Sequence, residues 1–149
     1  MISYQYHWTR PSRVVYPGGV TRTVEYDAAM RTKRIRVTDP GDNALMDYQY
    51  AYDAADNITA KETEHGKYEY GYDPTYQLTQ AISPKPGTSG FDNTLEGFTY
   101  DPVGNRIKKQ NDLLMSTASY NGNNELEQTS EAAYEHDANG NLTKKVAGG

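Results

Sequence analysis

Aromatic and polar residues alternate along much of this chain with a period of two. The stretch DYQYAYDAADN, Asp47 to Asn57, puts Tyr48, Tyr50 and Tyr52 at every second position and then stops on Asp53. KYEYGYDPTYQ repeats the device with Tyr68, Tyr70, Tyr72 and Asp73. Period two marks a strand whose two faces differ in polarity. No segment carries a sustained apolar stripe of period 3.6. NDLLMSTASY, Asn111 to Tyr120, comes nearest to a helical turn and is short. The pattern predicts an all-β chain of antiparallel hairpin repeats that form one long twisted or spiralling sheet.

Anchoring on the Tyr-Asp pair yields six copies: Tyr26-Asp27, Tyr52-Asp53, Tyr72-Asp73, Tyr100-Asp101, Tyr120-Asn121 and His136-Asp137. They lie 16 to 28 residues apart. That is too irregular for identical solenoid coils and suits hairpins whose outer loops vary. Counting from the anchor tyrosine, position +4 holds Met30, Asp56, Tyr76, Gly104, Asn124 and Gly140. Four of these belong to the small set that tolerates positive φ. Position +5 is polar throughout: Arg31, Asn57, Gln77, Asn105, Glu125 and Asn141. Position +6 is apolar at Ile58, Leu78, Leu126 and Leu142; in the fourth copy Ile107 comes one place late, which reads as a register shift.

The physical account is a hairpin. An alternating strand arrives, Asp or Asn bonds backbone N–H groups two residues on, and a type I turn follows. Position +4 takes the left-handed conformation of a bulge, and the return strand begins near +5. Pro74 and Pro102 follow the aspartate directly, where a fixed φ favours the turn. The longest break, Ser83 to Gly97, is rich in Pro and Gly and reads as a loop. Asp39–Asn43 and Glu64–Lys67 are shorter breaks. Residues 1–149 read as a single repeat region with six units across 14–146 and no internal boundary.

Composition sharpens this picture. Apolar residues are 36% of the chain, below the usual share of about 45–50%, so a thick globular core is thinly supplied. Tyrosine is the exception, with 14 copies against 2 Phe and 1 Trp. It combines a large apolar ring with a hydroxyl that reaches water or backbone, which suits a thin sheet. The net charge of −5 argues against nucleic acid as partner. The one basic run, Arg31 to Arg36, reads as a solvated strand face. With no cysteine there is no disulfide, thiolate metal site or thiol nucleophile. No signal peptide and no apolar run long enough for membrane insertion is visible.

At this point the residues reach a known family. YDAADNI, YDPVGNRI and HDANGNL, with the lead-in YPGGVTRTVEYD, resemble the YD repeats of RHS proteins across about residues 14–146. The resemblance implies an antiparallel ribbon wound into a hollow shell. In bacterial members that shell encloses a toxic C-terminal polypeptide delivered from the cell; animal teneurins carry a related one at the cell surface. It implies a structural protein rather than an enzyme. The repeat-defining residues would be Tyr26, Asp27, Tyr52, Asp53, Asn57, Tyr72, Asp73, Tyr100, Asp101, Gly104, Asn105, Tyr120, Asn121, His136, Asp137, Gly140 and Asn141. Many bacterial members cleave themselves near a DPxGL motif. This chain has DPVGN, Asp101 to Asn105, so those cleavage residues do not carry over.

Other chemistry is poorly supported. His7, His65 and His136 form no HExxH motif, and His136 stands where other copies have tyrosine. The loop from Asp137 has Leu142 and Gly148 where a calcium loop needs Gly and Glu. Ser89 lacks a nucleophile-elbow frame. The sequons at Asn57 and Asn141 are dictated by the repeat. No catalytic residue, cofactor or metal is expected. The expected partners are further YD repeats and an enclosed C-terminal polypeptide, within a secreted or cell-surface parent. Exposed strand edges point to homo-oligomers or swapped hairpins. The alternative is a tyrosine-rich module that binds carbohydrate at a cell surface, with glycan stacked on exposed rings. One backbone prediction tests the alignment itself: Asp56 aligns with Gly104 and Gly140, so it has positive φ, and right-handed or β angles at both Asp56 and Gly140 break it.

Overall fold

A computed structural model describes residues 1–84, 93–111 and 113–148. These contain fourteen strands and no helix. The strands are β1 (Ser3–His7), β2 (Arg10–Val15), β3 (Thr21–Tyr26), β4 (Thr32–Thr38), β5 (Ala44–Tyr52), β6 (Ile58–Thr63) and β7 (Gly66–Tyr72). They continue with β8 (Leu78–Pro84), β9 (Asn93–Tyr100), β10 (Arg106–Asn111), β11 (Met115–Tyr120), β12 (Leu126–Thr129), β13 (Ala132–His136) and β14 (Leu142–Ala147). Their order in the sheet is their order in the chain, the antiparallel hairpin sheet expected from the period of two.

Two units are distinguished by contact density. One comprises Met1–Tyr70 and Ser83–Asp92, the other Gly71–Ile82 and Asn93–Gly149. In the first, one face carries the row Val24, Ile35, Tyr48 across β3, β4 and β5. The same face continues through Tyr50, Lys61 and Tyr68 across β5, β6 and β7. The opposite face carries Glu25, Arg34, Gln49, Glu62 and Lys67, all polar. In the second unit Phe98, Lys109 and Ser116 form one row, with Gly97, Gln110 and Met115 on the other side.

Packing is shallow. Among the described residues only Val14, Val24, Ala132 and Thr38 are buried, and no side chain is fully so. The tyrosines are mostly half-buried, and cations cover several rings. Lys61 Nζ lies 4.6 Å from the Tyr68 ring centre and 5.4 Å from that of Tyr48. Arg31 lies 4.7 Å from Tyr52, and Lys145 5.7 Å from Tyr134. Such contacts are worth about 0.5–1 kcal/mol at open sites. The basic run is held by aspartates: Arg34 Nε donates to Asp47 Oδ1 at 2.7 Å, and Arg36 reaches Asp42.

Two expectations, the loop 83–97 and the register shift of the fourth copy, are corrected, and the stretch nearest to a helical turn is mainly strand like the rest. Strands occupy both ends of the expected loop 83–97, since β8 runs through Pro84 and β9 starts at Asn93. The cause is pairing: Glu96 lies opposite Asn111 and Gly97 opposite Gln110, so this glycine sits in a ladder, and Glu96 also meets Lys109. The middle, 85–92, lies outside the described residues. Asn111–Tyr120 has no helical turn; Asn111 Oδ1 accepts from the N–H groups of Leu113 and Leu114, closing a tight turn into β11. The fourth copy has no special register shift. Arg106 pairs with Tyr100 as Ile58 pairs with Tyr52, and Ile107 occupies the bulge that Thr59 occupies there.

Because so little is buried, the few buried positions matter most. Val24→Ala is expected to cost about 1–2 kcal/mol, lowering Tm by roughly 2–8 °C. Leu113→Ala, at a residue 90% exposed, leaves Tm unchanged. Thermal melts followed by circular dichroism check both.

Candidate functional site: the aspartate turns and the tyrosine links

At each of the six aligned copies the turn is built the same way. Asp53 Oδ1 accepts from the N–H groups of Ala55 and Asn57, both at 2.9 Å. Asp27 does so with Ala29 and Arg31, Asp73 with Thr75 and Gln77, Asp101 with Val103 and Asn105. Asn121 and Asp137 complete the set with Asn123, Glu125, Asn139 and Asn141. The backbone closes each turn twice: the Asp53 N–H donates to the Asn57 carbonyl, and the Asp56 N–H to that of Asp53.

Two N–H groups drawn to one oxygen force the residue between them into the left-handed region. All six +4 residues lie there: Met30 (φ 63°), Asp56 (68°), Tyr76 (65°), Gly104 (93°), Asn124 (62°) and Gly140 (80°). Every return strand then begins at +6, one residue later than expected. At +5 a side chain adds to the turn. Asn57, Asn105 and Asn141 donate from Nδ2 to the aspartate's second oxygen, and Arg31 does so from Nε.

Neighbouring turns also touch within each unit. Arg31 donates to the Asp53 carbonyl at 2.9 Å and to Asp56 Oδ1 at 2.7 Å. Asn105 Nδ2 donates to Asn124 Oδ1 at 3.1 Å. At Gly104 an added Cβ would lie 3.0 Å from Gln77 Nε2, and at Gly140 3.0 Å from Glu125 Oε1. So the +5 side chain of one turn lies against the +4 position of the next, and the two glycines serve both φ and space.

The anchor tyrosines join hairpin to hairpin. Tyr52 Oη donates to the Thr32 carbonyl at 2.7 Å, Tyr100 to Leu78 at 2.8 Å and Tyr120 to Arg106 at 3.3 Å. In each case the acceptor is the +6 residue of the preceding copy. Tyr26 makes the same bond to Pro11 at 3.0 Å. Burial raises the Tyr52 phenol above its ordinary pKa and keeps it a donor. His136 has no hydroxyl for such a link.

A constant register accompanies the link. The residue three beyond the +6 position faces the residue four before the next anchor. This gives Ile35 opposite Tyr48, Lys61 opposite Tyr68 and Lys109 opposite Ser116. Val14 opposite Arg22 obeys the same rule when Pro11 stands for +6, and Gln128 opposite Ala133 shares the alignment.

Of two further elements, the sequence reading gave one only as a break, without its turn chemistry, and did not give the other. Asp39 holds Gly41 and Asn43 by the same oxygen, with Asp42 at φ 64°, but on the opposite edge of the sheet and after Thr38 instead of Tyr. The signal was the DPGDN sequence itself. A further hairpin, β1 with β2, turns at Trp8 with φ 57°; only the alternation of Tyr4 and Tyr6 hinted at it. Among the described residues no cluster of His, Asp and Glu is arranged to hold a metal ion. The larger grooves lie on open sheet surface, for example about 490 Å³ lined by Thr79, Phe98 and Lys108.

The geometry defines a class: an antiparallel sheet of Tyr-Asp hairpins, the fold expected of YD-repeat chains. No protein-family model and no curated protein matches the sequence. Solved structures match the fold. The chain is similar to the structure titled TcdB2-TccC3-TEV with a TM-score of 0.80 and 19% identity, covering 98% of this chain and 9% of that one. TcdB2-TccC3 without its hypervariable C-terminal region gives 0.79 at 19%, with the same coverage. The Photorhabdus luminescens Tc holotoxin pore gives 0.71 at 18%, covering 97% and 10%. At such identities the likeness is one of fold, and this chain spans about a tenth of the length of those it matches.

The turn oxygens should make the fold acid-sensitive. Asp27 lies below the ordinary aspartate pKa, chiefly through the Arg31 backbone N–H. Asp53 and Asp137 lie below it chiefly through the Asn57 and Asn141 side chains. A folded pKa below the unfolded one stabilises above the unfolded value, about 3.9, and the stabilisation is lost as pH falls through the folded value. The urea midpoint is therefore expected to fall below about pH 4. Asp53→Asn keeps the turn at pH 7, as Asn121 does, and makes that fall shallower; Asp53→Ala lowers the midpoint at pH 7. Tyr52→Phe removes one hydrogen bond and is expected to cost about 1 kcal/mol, a Tm drop of roughly 2–4 °C.

Proposed function

We propose that this chain is a stretch of wall in a YD-repeat shell, and that the whole protein uses the shell to enclose a C-terminal polypeptide. Residues 1–149 then act as one repeat region, with six units between 14 and 146 and the Tyr-Asp residues as its structural frame. The role is structural and the parent is a bacterial protein acting outside the cell. The observation that carries this reading is the constant register between hairpins. It lets units be added without a new core, which a wall of arbitrary length requires. The fold shared with TcdB2-TccC3 structures supports it.

The carbohydrate reading is less well supported. Sugar stacking needs open ring faces, whereas Lys61 lies over Tyr48 and Tyr68, Lys145 over Tyr134 and Arg31 over Tyr52. Tyr50→Ala is expected to lower Tm by roughly 4–8 °C, for a loss of about 2 kcal/mol. An unchanged Tm together with loss of glycan binding reverses the preference.

Limited proteolysis of the full parent polypeptide tests enclosure. A C-terminal segment that resists protease in the intact protein, and is digested once Tyr52→Ala and Tyr100→Ala open the wall, supports the proposal. A segment cut at the same rate in both counts against it.

A further inference from the structure

We infer that the fold selects Asn139 as a site of spontaneous covalent modification, in which its carboxamide cyclises onto the Gly140 nitrogen, and that the isoaspartyl product opens the Asp137 turn. The chain offers this chemistry twice in the same local sequence: Asn121-Gly122-Asn123 and Asn139-Gly140-Asn141. In both, the next residue is glycine, so no Cβ hinders the approach of the backbone nitrogen. Local sequence does not choose between the two sites. The fold does.

The difference lies in what the turn takes from each asparagine. Asn121 is itself the turn acceptor. Its Oδ1 accepts from the N–H groups of Asn123 at 2.9 Å and Glu125 at 3.0 Å, and its Nδ2 donates to Glu125 Oε2 at 2.6 Å. Turning this carboxamide toward the Gly122 nitrogen breaks these three bonds. Asn139 stands at +3 of a turn whose acceptor is Asp137, and only its backbone serves that turn: its N–H donates to Asp137 Oδ1 at 2.9 Å. Its side chain is exposed and makes no hydrogen bond among the described residues. One bond opposes the attack, from the Gly140 N–H to the Asp137 carbonyl at 3.0 Å, and exposed turns of this kind open locally far more often than strand pairs. The +3 residue is exposed in all six copies, including those with a hairpin on either side, so neighbouring repeats leave this position open.

The chemistry needs only water. The Gly140 N–H gives up its proton to hydroxide, and the nitrogen attacks Asn139 Cγ. The Cγ–Nδ2 bond breaks, and Nδ2 takes a proton from water and leaves as ammonia. Water then opens the resulting cyclic imide at either carbonyl. One opening leaves aspartate in an ordinary backbone. The other carries the backbone through Cβ and Cγ and lengthens it by one carbon. That carbon falls between the N–H of Asn139 and those of Gly140 and Asn141, all of which bond to Asp137. The N–H groups on its two sides then no longer meet on Asp137 Oδ1, and the cause of positive φ at Gly140 is removed. None of this depends on what the sheet encloses.

The test holds the 149-residue chain folded in mildly alkaline buffer, samples it over days, and maps its peptides by mass spectrometry with chromatography that separates isoaspartate from aspartate. Asn139 is expected to convert faster than Asn121 by at least about fivefold, the worth of one neutral hydrogen bond. In urea the two rates are expected to converge, because only the fold distinguishes the sites. Asn139→Gln is expected to remove the fast product. The isoaspartyl form, once isolated, is expected to melt below the Asn139→Asp chain, which carries the same charge on an ordinary backbone. Conversion of Asn121 at an equal or higher rate in the folded chain, a preference for Asn139 that persists undiminished in urea, or an isoaspartyl form that melts with N139D each overturn the inference.

Discussion

Everything in this sheet depends on one carboxylate or carboxamide oxygen that holds two backbone N–H groups. Asp53 shows the chain of causes. Its Oδ1 draws in the N–H groups of Ala55 and Asn57, so Asp56 between them must adopt positive φ. That left-handed step sends the return strand out opposite Tyr52, with one extra residue, Thr59, as a bulge. Bulges raise the local twist and re-aim side chains. Here the effect is to leave the anchor tyrosine beside the preceding hairpin, where its hydroxyl meets the Thr32 carbonyl. A local turn thus becomes a long-range instruction.

A sheet organised in this way does not need a core. Stability in most domains comes from a buried apolar centre, yet among the described residues only a few small side chains are buried. What replaces the centre is repetition of modest terms: cross-strand pairs, cations on rings, turn oxygens and hydroxyl links, each worth about 1 kcal/mol or less. Such terms add along the sheet because each hairpin meets its neighbour in the same way. Tyrosine suits this task better than phenylalanine, since one edge of its ring must make a hydrogen bond while the face packs.

How much of this was legible follows from how local each cause is. Alternation and turn chemistry act over a handful of residues, and the positions of Asp53, Gly104 and Gly140 were readable. The alignment also located positive φ at Met30 and Tyr76, residue types that give no hint of it alone. The acceptor of each tyrosine was not readable, because it lies about a hairpin away in sequence and is chosen by sheet order. Asp39–Asn43 was legible as a break but not as the same aspartate turn, because the repeat is anchored on tyrosine, which that turn does not need. Gly97 was misread because its glycine signal was local, whereas its pairing with Gln110 crosses the hairpin.

Two departures within the repeat show which device is primary. Asn121 replaces aspartate, and the turn keeps both N–H bonds, the positive φ at Asn124 and the bulge. An oxygen acceptor is required there, and its charge is not. His136 replaces tyrosine, so no hydroxyl is available, yet β12 meets β13 in the register found elsewhere. The register therefore does not originate in the hydroxyl link. It originates in the turn, which fixes where each anchor stands, and the link then strengthens a contact already aligned. This explains why the opposite edge is free to vary. Its connections range from the two-residue turn at Glu64 and His65 to the Asp39 turn. So long as the aspartate edge is held, that variation costs the sheet no alignment.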